Sequence, residues 1–105
     1  MKRHEYLIER SDLQGATHLQ VTVSYTIGGR NYVSGGVTPR GFYVSVIPVT
    51  KRGSVISYIA FTGYNQLIMT AARFSEKQFN TAIEKSKVLI PAMIEQVLSE
   101  NKKAS

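Results

Sequence analysis

From Thr17 to Ile27 the chain alternates with a period of two. Leu19, Val21, Val23, Tyr25 and Ile27 take one parity, and His18, Gln20, Thr22, Ser24 and Thr26 take the other. Successive side chains leave a strand on opposite sides, so this pattern predicts a strand with one buried and one wet face. Gly28-Gly29-Arg30-Asn31 reads as a tight turn whose glycines supply positive φ. Tyr32 and Val33 start a short strand, broken by Gly35-Gly36. Thr38-Pro39-Arg40-Gly41 is a second turn. From Phe42 to Thr50 apolar residues occupy both parities, the pattern of a central strand covered on both faces over part of its length. Pro48 lacks an amide donor, which predicts a bulge or a sheet edge there. Lys51-Arg52-Gly53-Ser54 turns again, and Val55 to Thr62 is rich in β-branched and aromatic residues. Gly63-Tyr64-Asn65 is the next turn and Leu67 to Ala72 the last strand. Residues 4 to 10 add a first strand, and Ser11 to Ala16 reads as a loop or a single helical turn.

The period then changes. Phe79, Ala82, Ile83, Leu89, Ile90, Met93, Ile94, Val97 and Leu98 recur at helical spacing. Ser75-Glu76-Lys77-Gln78 fits a capping box with Ser75 as N-cap, and Phe74 and Phe79 occupy the two positions of a hydrophobic staple. Pro91 removes one helical hydrogen bond and crowds the carbonyl of Lys87, so a kink or restart is expected there. The apolar arc covers roughly half the helix circumference, more than one sheet covers. That excess predicts a homodimer through the C-terminal helix.

These elements predict one α+β domain over residues 1–105. An antiparallel β-meander of about five or six strands, over residues 4–72, precedes one long helix at about 76–98, packed on one sheet face. Leu19, Val21, Val23, Ile59 and Phe61 are expected to meet Phe79, Ile83, Ile90 and Val97, with a frayed tail at 99–105. The apolar runs are too short for a signal-peptide core or a bilayer span. The chain has no cysteine, which excludes disulfides, thiol catalysis and thiolate metal sites and fits a reducing cytoplasm.

Charge adds a second pattern. The formal net charge is +6, and all seven carboxylates lie outside the stretch from Leu13 to Ser75. Within that stretch sit Arg30, Arg40, Lys51, Arg52 and Arg73, with eight of the ten aromatic residues. Strands are depleted in Asp and Glu anyway, and buried rings are ordinary core, which accounts for part of the pattern. The remaining charge without internal acids matches the footprint of a polyanion-binding surface. Arg30, Arg40, Lys51 and Arg52 fall at predicted turns, where they can ring one rim and neutralise phosphates. Tyr43 and Tyr58 lead the rings on which bases can stack, with Tyr32 and Tyr64 behind them.

Other chemistry finds little support. Arg40-Gly41-Phe42 opens like the RNA-recognition-motif signature, but Tyr43 and Val44 depart from it and no helical period separates the strands. The glycine pairs precede no helix and no Gly-Lys-Ser/Thr, so they read as turns and not as a phosphate cradle. His4 and His18 have no further ligands at metal spacing. No carboxylate pair or Ser-His-Asp set is positioned for catalysis. The sequence therefore predicts a non-enzymatic protein without cofactor.

A β-meander closed by a C-terminal helix, with basic-aromatic composition over roughly residues 17–98, resembles the Whirly and Pur-type single-stranded nucleic-acid-binding proteins. That resemblance implies a four-strand-plus-helix unit that pairs with another and binds single-stranded DNA or RNA. It carries no motif by which individual residues are transferred. The functional expectation is a small, basic protein binding single-stranded nucleic acid with little sequence preference. The alternative is a protein-interaction or assembly module whose sheet edge or helix holds another chain, marked by exposed apolar surface.

Overall fold

A computed structural model describes residues 2–13, 15–30, 37–50 and 64–103. The main sheet has four antiparallel strands in the order β1-β2-β5-β6: β1 Arg3–Glu9, β2 His18–Thr26, β5 Gly41–Val49 and β6 Tyr64–Thr70. Between β2 and β5 a two-stranded ribbon pairs β3 Gly29–Arg30 with β4 Val37–Thr38. Helix α1 runs from Glu76 to Lys103 and packs on β5, β6 and β2. The fold is α+β, as the two periods predict. The main sheet has four strands where the sequence suggests five or six. The ribbon residues Gly29, Arg30 and Thr38 fall in stretches that the sequence reads as turns. The predicted strands at Tyr32-Val33 and Val55–Thr62 lie outside the described residues.

The alternation in β2 works as expected. Leu19, Val21, Val23 and Tyr25 are buried while the residues between them are half-buried. Register sets Leu19, Val21, Val23 and Tyr25 opposite Pro48, Val46, Val44 and Phe42 of β5. This face meets Phe79, Ala82, Ile90, Met93, Val97 and Leu98 of the helix in one core cluster. Ile59 and Phe61, expected in that core, lie outside the described residues; Phe42, Val44 and Val46 line it beside β2. On β5 the other parity carries Tyr43 and Val49, also buried. The two-parity apolar pattern of Phe42 to Thr50 thus corresponds to a central strand with buried residues on both faces.

Local chemistry sets the junctions. The Gln78 amide donates to Ser75 Oγ at 3.1 Å, and the Phe79 amide donates to the Ser75 carbonyl at 2.9 Å. The Gln78 side chain accepts from the Ser75 hydroxyl at 3.3 Å, where a reciprocal capping box would have it reach the Ser75 amide. The staple is formed, with the Phe74 and Phe79 rings 5.7 Å apart. Tyr25 and Phe42 join them in an aromatic cluster at the mouth of the helix. Buried Ser86 donates to the Ile83 carbonyl at 2.7 Å, so its hydroxyl is satisfied under the helix.

Three expectations are corrected here. The helix runs through Pro91 without a restart and reaches Lys103, beyond the expected end at Leu98. Pro91 and Lys87 both lie on the exposed side, where water can replace the hydrogen bond that proline removes. Tyr64 and Asn65 belong to β6, paired with Val46 and Ser45, and are not a turn; an edge strand tolerates the weak β-former Asn65. The helix arc is also largely covered within one chain. Ile83, Leu89 and Ile94 are half-buried against the core, and Val88 alone stands out as an exposed large hydrophobic, at 80%. Pro48 keeps its register opposite Leu19 of β2, and the residues that precede Tyr64 lie outside the described residues.

Candidate nucleic-acid interface

The antiparallel register decides which cations share an end of the sheet. Arg3 faces Ser24, Ser24 faces Tyr43, and Gly41 faces Thr70. The start of β1, the end of β2, the start of β5 and the end of β6 therefore lie together. Arg40 immediately precedes β5, Arg73 follows β6, and Lys77 sits in the first turn of the helix. The β3–β4 ribbon extends from the same end and carries Arg30. Lys2 is there too, paired with Glu76. Among the described residues the ion pairs are Lys2–Glu76, Arg10–Asp12 and Lys87–Glu84. None of them uses Arg3, Arg40, Arg73 or Lys77. Helix termini favour acids at this end, so Lys77 gains nothing from the helix dipole. The result is a basic end built from four segments of the chain.

Arg40 is fixed at the centre of this end. Its Nε donates to the Ile27 carbonyl at 3.0 Å and its Nη1 to the Ala72 carbonyl at 3.2 Å. The guanidinium thus ties the end of β2 to the β6–α1 connection, while the residue stays exposed. The Ala71 amide donates back to the Arg40 carbonyl at 3.1 Å. Two glycines shape the corner. Gly28 has φ of +81°, and a Cβ there would lie 2.5 Å from the Thr38 carbonyl oxygen and 3.1 Å from the Arg40 nitrogen. A Cβ at Gly41 would lie 2.3 Å from the Met69 carbonyl oxygen. Both positions exclude a side chain for lack of space.

The sequence-selected residues divide. Arg30 and Arg40 come to the same end. Lys51, Arg52 and Tyr58 lie outside the described residues. Among the described residues, Arg30, Arg40, Arg73 and Lys77 share this end, with Arg3 at its corner. Tyr43 is corrected as a stacking ring. It is only 9% exposed, and its hydroxyl donates to the Pro39 carbonyl at 2.6 Å, which anchors the turn carrying Arg40. Base stacking needs an open ring face. Tyr6 on β1 is an exposed aromatic of the sheet, 38% exposed and 5.5 Å from the His4 ring.

Arg3, Arg73 and Lys77 lie outside the predicted turns and join this end through strand pairing, which sequence distance hides. The acid-free span already contained Arg73. The opposite end is mixed in charge. Arg10 Nε and Nη2 donate to the two Asp12 oxygens at 3.0 and 2.7 Å. That hydrogen bonding raises the Arg10 pKa above its ordinary value, with Asp12 and Glu95 adding attraction against some desolvation. Among the described residues no group of three or more His, Cys, Asp or Glu is placed to hold a metal, and no helix is long and apolar enough to cross a membrane. Comparison with protein families, with curated proteins and with solved structures finds no match.

Proposed function

We propose that the chain binds single-stranded DNA or RNA with little sequence preference through this basic end. The observation that carries the reading is the convergence of Arg3, Arg30, Arg40, Arg73 and Lys77 from segments far apart in sequence. Phosphates supply the counter-charge such a surface lacks, and release of their condensed cations drives binding. An arginine already held by two carbonyls loses little side-chain freedom on meeting a phosphate. No catalytic or cofactor chemistry is part of this reading.

Fluorescence anisotropy with a labelled single-stranded oligonucleotide tests it. Four phosphate contacts predict micromolar or tighter binding at low salt and a log–log salt slope of about −3. Absence of binding at about 50 mM salt removes the proposal. The second reading, a protein-interaction module, is favoured by a different observation. Strand β1 is exposed over nearly its whole length, including Leu7 at 48%.

A further inference from the structure

The least-covered regular element is β1. It forms one edge of the main sheet, pairs among the described residues with β2 alone, and is exposed at every position from Arg3 to Glu9 except half-buried Ile8. It has no proline and no bulge in its register with β2, the usual devices that blunt an edge. Its free backbone groups can be assigned. The Arg10 amide donates to the Thr17 carbonyl in register with the β1–β2 ladder. Hydrogen-bonded pairs alternate in an antiparallel ladder, so Tyr6 and Ile8 point their amides and carbonyls at β2. Arg3, Glu5, Leu7 and Glu9 point theirs at the open edge.

We propose that this edge pairs antiparallel with the β1 strand of a second copy of the chain, about a two-fold axis at Tyr6. The side-chain sequence is self-complementary in that register and in no other well-overlapped one. Centred on Tyr6, Arg3 faces Glu9 of the second copy, Glu5 faces Leu7, His4 faces Ile8, and the two Tyr6 rings meet. Each Arg3–Glu9 pair joins opposite charges on the face away from the helix. Sliding the second copy by two residues one way sets Glu5 against Glu5. Sliding it the other way sets Glu5 against Glu9. Like charges directly opposite on a sheet are destabilising, so both alternatives are penalised. The outward-facing residues Arg3, Glu5, Leu7 and Glu9 pair only with one another in this register, so each exchanges N–H···O bonds with its partner. The pairing extends the four-stranded sheet across two protomers by a route distinct from the helix-mediated dimer. A single strand edge buries little area, so the association is weak and reversible. It shares Arg3 with the proposed nucleic-acid surface, so its tests read mass and cross-linking with no nucleic acid present.

Sedimentation equilibrium from ~10 to ~500 µM measures it, a range set by the small interface. The average mass should rise from the 11.7 kDa monomer toward twice that value. Leu7→Pro removes an amide aimed at the open edge while sparing the β1–β2 ladder, and should keep the chain monomeric with an unchanged circular dichroism spectrum. Arg3→Glu or Glu9→Arg alone should weaken association roughly tenfold, and the double exchange should restore it. The chain has no cysteine. A Tyr6→Cys variant should therefore cross-link to itself on mild oxidation, since non-hydrogen-bonded pairs hold their Cα atoms about 4.5 Å apart, within disulfide range. Leu7→Cys, facing Glu5, should cross-link far more slowly. A constant monomer mass, or a dimer indifferent to Leu7→Pro, overturns the proposal. So does a charge exchange that fails to restore association. Should Leu7→Pro fail to fold, the charge exchange and the cysteine pair decide it.

Discussion

At the scale of single residues, Arg40 separates structural from functional roles. Its guanidinium satisfies two carbonyls that end separate segments, so Arg40→Ala should lower stability by about 1–2 kcal/mol in urea denaturation. Exposed Arg73 has no such ties among the described residues, and Arg73→Ala should stay within about 0.5 kcal/mol of the parent. Equal losses for both would contradict the clamp. Ser75 was legible in advance because a cap is a local event: one side-chain oxygen, one amide three residues on, one flanking pair of rings. Ser75→Ala should cost about 1 kcal/mol by the same measurement. Tyr43 was not legible. Nothing local distinguishes a ring buried by tertiary packing from one left open for a base.

At the scale of elements, periodicity carried most of the fold. The alternation in β2 set which residues lie under the helix, because a one-residue slip would turn the whole apolar set to solvent. What periodicity missed is the pairing of Gly29-Arg30 with Val37-Thr38, which lie in or beside stretches that read as turns, between the directly paired β2 and β5. The helix continues past Pro91 because its packed stripe from Phe79 to Leu98 outweighs one lost hydrogen bond on the wet side. That bond remains a cost. Pro91→Ala should therefore stabilise the protein, by about 1–3 kcal/mol at most, read as a higher midpoint in thermal melting. A lower midpoint would mean that the proline shapes the packing. Gly41→Ala should destabilise by about 1–3 kcal/mol, since the added methyl meets the Met69 carbonyl and the backbone must move.

At the scale of the whole molecule, charge is arranged along the strands. Among the described residues, one end carries Arg3, Arg30, Arg40, Arg73 and Lys77 with the Lys2–Glu76 pair; the other carries Glu9 and the Arg10–Asp12 pair. Composition could reveal the excess charge but not its polarity, because Arg3 and Arg73 are seventy positions apart until antiparallel pairing joins them. The central claim concerns location, and charge-matched variants test location directly. Arg73→Glu with Lys77→Glu alters the basic end. Lys85→Glu with Lys87→Glu makes the same change in charge on the solvated middle of the helix. Oligonucleotide anisotropy at fixed salt should show the first pair weakening binding at least tenfold, as expected for losing two phosphate contacts, and the second pair by less than about threefold. Equal weakening by both pairs would contradict the account, leaving net charge alone as the source of binding.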